Sequence, residues 1–176
     1  MPPRTPFVDM NPDRLRWADL TTVPNKILGQ FEAEAGYTAV PTDLKFRTVR
    51  KGGKHAVELH PDFKVVVRPQ GEVWKDANKT AALLAHEELH YYVGYVVARA
   101  LINDILALRA SSAGQLEGAL TTMMDTHLVT RGEVIQKAYD DNTGNSASTA
   151  KQHQWQKAMT DCIANPKATK LMGYEL

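Results

Sequence analysis

The spacing of apolar positions divides the chain into a strand-rich first half and a helical second half. Residues 1–24 are rich in proline and show no clean periodicity, which predicts an extended N-terminal arm leading into a single domain over residues 25–176. Pro24-Asn25 opens a predicted short helix over Lys26–Ala35, and Gly36–Asp43 reads as the turns that break it. Three strand-length runs follow within a strand-rich region, 44–70: Leu44–Arg50, His55–His60 and Phe63–Arg68. Each is Val-rich or alternates in polarity, which predicts an antiparallel meander with Gly52-Gly53 as a hairpin turn.

Over 78–165 the pattern becomes helical. A long helix from Asn78 or Thr80 to about Arg109 spans roughly 45 Å and is apolar on several sides, as a buried central helix is. A second helical stretch covers about Gln115–Asp141, a polar loop Asn142–Thr149, and a final helix about Ala150–Ile163 before Asn165-Pro166. The predicted class is α+β: a small antiparallel sheet precedes a long buried helix, and two further helices follow.

Composition narrows the function classes. With 21 Lys and Arg against 20 Asp and Glu the net charge is +1, which leaves no global electrostatic reason to expect nucleic acid. The five basic residues between Lys45 and Lys54 read as a solvated strand edge rather than a nucleic-acid patch. No apolar run reaches the roughly 18 residues of a membrane span, and the start shows no apolar segment of a signal peptide. Cys162 is the one cysteine, so neither a disulfide scaffold nor a Cys-rich zinc site is available. Any metal site must use nitrogen and oxygen ligands.

The long helix contains such a set in His86-Glu87-Glu88-Leu89-His90, the pattern HExxH. Histidines four apart lie about 40° apart around a helix, so both imidazoles can face one zinc ion. On the same count Glu87 falls at about 100° from His86, flanking the metal face, and Glu88 at about 200°, away from it. Glu87 is therefore the candidate general base, taking a proton from water and passing it to the leaving amine. With six His and nine Glu in the chain, the motif arises in about one per cent of shuffled sequences, and a chance match has no reason to fall inside a helix. In zincin peptidases an edge strand before the motif helix holds extended substrate, and Phe63–Arg68 is the candidate for that strand.

HExxH supplies two ligands, so a third must come from elsewhere. Val93 and Val96 stand where a metzincin would continue its motif, which excludes that class. Glu133 and Asp140 are seven apart on the second helical stretch and share a face, so either is a candidate, and His153 on the last helix is another. Tyr139 is a candidate oxyanion donor, set against a ring that simply packs. Trp17, Trp74 and Trp155 read as packing residues. Arg99 reads as a partner for a carboxylate or for the C-terminal end of another helix.

Several residues occur in an order that resembles a domain-of-unknown-function family of mostly secreted bacterial zinc-dependent proteases. They are Arg16-Trp17-Ala18-Asp19-Leu20, Val73-Trp74-Lys75, Leu84 to Tyr91 around the motif, Ala98-Arg99, Tyr139-Asp140-Asp141-Asn142-Thr143, and Gln152-His153-Gln154-Trp155. The resemblance covers roughly residues 14–156. It implies a zincin-like fold, one zinc ion, a secreted or periplasmic location, and Asp140 as third ligand, because Asp140 belongs to the shared YDxxT segment. One position departs: many members carry His-Gly after the threonine, where this chain has Gly144-Asn145.

The expectation is a zinc metallopeptidase acting on protein or peptide substrates, with His86, His90 and Asp140 on the metal and Glu87 and Tyr139 as catalytic candidates. The alternative is a zinc-binding protein of the same fold with a structural or partner-binding role, which the Asn145 departure keeps open. A di-iron carboxylate site needs a second ExxH, and none exists in the chain.

Overall fold

Alternation with period two, rather than the helical period, governs Phe31–Thr42, and it sets the architecture around the motif helix. A computed structural model describes residues 8–10, 14–28, 30–144 and 147–176. In chain order the strands β1 (Val8–Met10), β2 (Thr21–Val23), β3 (Ala33–Thr42), β4 (Phe46–Lys51), β5 (Lys54–Leu59) and β6 (Lys64–Trp74) precede the helices. Then come α1 (Ala81–Ile105), α2 (Ala113–Met124), a π-helical turn (Asp125–Arg131), α3 (Gly132–Thr143) and α4 (Thr149–Ala164), and a hairpin of β7 (Lys170–Leu171) and β8 (Tyr174–Glu175). The class is α+β.

The long strand β6 is the spine of the main sheet. β3 pairs antiparallel along its whole length, from Ala33 opposite Val73 to Thr42 opposite Lys64. On the other side β1 pairs parallel with Val65–Val67 and β2 parallel with Glu72–Trp74. Pro69 falls between these two partners, where a missing N–H breaks no ladder bond. Val65, Val67 and Val73 alternate along β6, are fully buried, and turn one face of the sheet onto α1.

Four sequence expectations are corrected here. Lys26–Ala35 is not a helix: Ile27 bridges Phe31, and β3 begins at Ala33. Glu and Ala favour helix intrinsically, but Ala33 and Ala35 gain more by packing, with Val73, against Leu83 and Leu84 of α1. The strands are not a meander. Of the three runs, the first two, as β4 and β5, form a hairpin, turned by Gly52 and Gly53 at φ of 57° and 78°, and they make a separate two-stranded sheet without the third. Phe63–Arg68 is not an edge strand, since most of it belongs to the centre of the sheet and Phe63 is a core residue; β3 is the edge strand beside the motif residues. Finally, the described part of residues 1–24 is not an arm, because β1 and β2 join the sheet and Leu15 and Leu20 are buried. On the basic hairpin, Arg47 is taken up by buried Glu58, which also binds Arg109 at 2.5 Å.

α1 begins at Thr80, whose hydroxyl accepts the Leu83 N–H at 3.1 Å, an N-cap. From Leu89 to Ile105 apolar residues are buried on all sides, enclosed by the sheet and the other helices. Arg99 lies in that core at 1% exposure and donates to the Cys162 carbonyl at 2.9 Å and the Ile163 carbonyl at 3.1 Å. A guanidinium thus satisfies the last-turn carbonyls of α4, where a positive charge is favoured. Among the described residues no helix is long and apolar enough to cross a membrane.

Candidate metal centre

The second and third turns of α1 bring His86, Glu87 and His90 to one end of the core, and the last turns of α3 bring Asp140 to meet them. The His86 Nε2 lies 3.3 Å from the His90 Nε2 and 3.2 Å from the Asp140 Oδ1, and the His90 Nε2 lies 3.0 Å from the same oxygen. In a tetrahedral zinc site with bonds of about 2.0–2.1 Å, neighbouring ligand atoms stand about 3.3 Å apart. The three edges of this triangle match that separation, so two imidazoles and a carboxylate fit zinc with one vertex open.

Burial tunes the same groups. Both imidazoles are buried, and burial lowers the His86 pKa below its ordinary value, an effect the Asp140 carboxylate partly opposes. Burial also resists ionisation of Asp140, but the hydrogen-bonding rings of His86 and His90 outweigh it and hold the carboxyl well below the usual range. Tyr139, wholly buried, stacks on His86 with ring centroids 4.5 Å apart and meets His90 edge-on at 5.0 Å. The Tyr139–Trp155 contact at 5.3 Å extends this wall to α4.

Glu87 is 3% exposed, and its Oε2 accepts the Ala35 N–H at 2.7 Å. That bond is available because Trp74 donates to the Glu32 carbonyl, so the even-numbered residues of β3 exchange ladder bonds with β6. Odd-numbered residues, Ala33, Ala35 and Tyr37, turn their backbone groups to the free edge. Burial pushes the Glu87 carboxyl up to about 7, against the opposing effects of His90 and the Ala35 bond. Glu88 points away and accepts the Leu15 N–H at 3.3 Å, tying the N-terminal segment to α1.

His86, Glu87, His90 and Asp140 line a cleft of about 550 Å³ together with Glu32, with Ala33–Ala35 of β3, and with Leu28, Phe31 and Leu83. A second cleft of about 600 Å³ adjoins it, shares Glu34, Ala35 and Gln136, and adds Asp19 and Glu72. Of the sequence candidates, His86, Glu87, His90 and Asp140 come together, whereas Glu133 and His153 are exposed and stand outside the donor cluster. Tyr139 lies behind the histidines and does not line the cleft, a placement that gives it packing against His86 rather than contact with a reacting carbonyl. Asn145 lies outside the described residues. Sequence reasoning missed Ala35, whose contribution is a backbone N–H, and Gln136. The period-two alternation of Phe31–Val40 was the signal that could have revealed the first.

Compared with known proteins, the chain matches no protein-family model, no curated protein and no solved structure.

Proposed function

We propose that the chain is a zinc-dependent metallopeptidase of zincin-like fold. The observation that carries this reading is the convergence of the His86 Nε2, His90 Nε2 and Asp140 Oδ1 within 3.0–3.3 Å of one another, beside Glu87 and lining an open cleft. Zinc, when bound by these three, supplies a Lewis acid that makes water acidic near neutral pH and polarises a carbonyl. The remaining work falls to the chain. Glu87, its carboxyl raised towards neutrality, accepts the proton of the attacking water and delivers it to the leaving amine nitrogen. Apart from the Ala35 N–H, which Glu87 takes, the outer edge of β3 turns backbone groups along the cleft wall, which suits an extended peptide held by strand pairing. Tyr139, itself backed by Trp155, packs against the His86 ring.

The test is metal analysis of the purified chain together with proteolysis assays of the wild type and Glu87→Gln. About one zinc per chain and cleavage that disappears in the variant support the reading. Bound zinc with no cleavage of any peptide or unfolded protein leaves a zinc-binding protein of the same fold, and no bound metal ends both.

A further inference from the structure

The helical stretch that delivers Asp140 is not a continuous α-helix. Across Asp125–Arg131 it widens into a π-helical turn, where the Gly132 N–H reaches the His127 carbonyl five residues back. In an α-helix that N–H would bind Leu128. The released Leu128 carbonyl instead accepts the Tyr37 hydroxyl at 2.7 Å. Tyr37 stands on β3, and two glycines keep room for it: a Cβ added at Gly94 of α1 would fall on its ring, and one at Gly132 on its hydroxyl oxygen. The side chain is wedged between the motif helix and the widened turn, and its hydroxyl takes the carbonyl that the α-helical ladder has given up.

The widening has a consequence for the metal centre. A single π-turn absorbs one residue more than an α-helix of the same length, so residues beyond it are set back by about 100° around the axis. Continued from α2 as plain α-helix, the chain would bring Tyr139, not Asp140, to the position facing His86 and His90.

We propose that Tyr37 is a positioning residue for the third metal donor: by holding the Leu128 carbonyl out of the α-helical ladder, its hydroxyl fixes the azimuth at which Asp140 meets His86 and His90. This rests on the metal-centre reading above. Tyr37 acts through Leu128 and α3, not by touching the metal.

The experiment measures zinc affinity by competition with a chromophoric chelator, and the visible absorption of the Co²⁺-substituted protein, for the full chain and its variants. Tyr37→Phe keeps the ring and removes only the hydroxyl. It is expected to weaken zinc binding by about 10–100-fold, the range for groups that orient a metal ligand, and to shift the Co²⁺ bands. Asp140→Ala is expected to lose at least as much, and the double variant no more than Asp140→Ala alone, because the tyrosine works only through that carboxylate. A purely packing role would lower the melting temperature but leave the zinc affinity and Co²⁺ spectrum of the folded protein unchanged, and that result overturns the proposal. So does full additivity in the double variant. Should Tyr37→Phe fail to fold, Gly132→Ala, whose methyl displaces the hydroxyl and favours α-helix, is expected to show the same loss; unchanged affinity there also overturns it. A wild-type chain that binds neither zinc nor cobalt overturns the metal-centre reading itself.

Discussion

Replacing Glu87 by Gln separates catalysis from folding at this site, because the structure says what the amide keeps and what it loses. The Glu87 Oε2 accepts the Ala35 N–H at 2.7 Å, and the side-chain oxygen of Gln can accept the same bond. The side chain is 3% exposed and burial already disfavours its charged form, so removing the charge relieves a desolvation cost while adding an NH₂ group that needs a partner. These effects oppose each other, and the expected change in unfolding free energy is within about 1 kcal/mol. Zinc binding should persist, since none of the three donor atoms is touched. Catalysis should not, because an amide cannot take a proton from water. A positioned general base is worth about 10²–10⁴ in rate, or roughly 3–5 kcal/mol of transition-state stabilisation. The assay is kcat/KM on an unstructured protein or a fluorogenic peptide, with zinc content and a urea melt on the same preparations. Activity within tenfold of wild type, in a variant that is folded and zinc-loaded, would refute Glu87 as the base. Loss of zinc together with activity would show instead that Glu87 holds the metal.

Further outcomes follow from the same contacts. Saturating zinc at about 100 times its Kd should raise stability by about 2.7 kcal/mol, a melting shift of roughly 5–10 °C for a chain of this size, and a chelator should reverse it. An unchanged melting curve would count against a preformed site. Arg99→Leu leaves the Cys162 and Ile163 carbonyls without their buried donor and should cost about 3–5 kcal/mol in chemical denaturation, whereas a cost below about 1 kcal/mol would mean that water replaces it. The two adjoining clefts carry Asp19, Glu32, Glu34 and Glu72 and, among the described residues, no Lys or Arg in their lining. Cationic peptides should therefore be cleaved with higher kcat/KM than anionic isosteres at low salt. The ratio should fall as salt rises and narrow in Glu34→Lys; equal rates at low salt would remove charge from the account of specificity.

What the sequence made legible was local. HExxH placed two histidines and a carboxylate by helix arithmetic alone, and α1 holds all three on the cleft, with Glu88 turned away as the same arithmetic required. That Arg99 needs acceptors was likewise readable, since a lone guanidinium in an apolar helix must find them, but a carboxylate and a helix C-terminus stood equal until the fold brought the end of α4 to it. The sheet was not readable. β6 draws β1 and β2 to one side in parallel and β3 to the other, partners that no hairpin turn announces. At Glu32-Ala33-Glu34-Ala35 intrinsic propensity spoke for helix, and the contact that decides for strand lies with Leu83 and Leu84, about fifty residues downstream.

The third donor shows where local arithmetic stops. Glu133 and Asp140 share a face on any helical count, because both follow the π-turn; their places along α3, about 10 Å apart, decide which of them reaches the histidines, and whether that face meets the histidines at all depends on how α3 is rotated against α1. That rotation is set by a turn whose unpaired carbonyl is held by Tyr37, 91 residues away. The same strand, β3, gives its Ala35 N–H to Glu87. One edge strand therefore orients the candidate base through its backbone and the candidate ligand through a side chain two residues on. Ala35 lies where helix propensity and strand alternation disagree, and Tyr37 lies just beyond it in Gly36–Asp43, a stretch that the sequence reads as turns. A reading of Lys26–Ala35 as helix and Gly36–Asp43 as turns loses the strand, the Ala35–Glu87 bond and the cause of the π-turn together, which is why HExxH could be found from the sequence while the geometry that completes it could not.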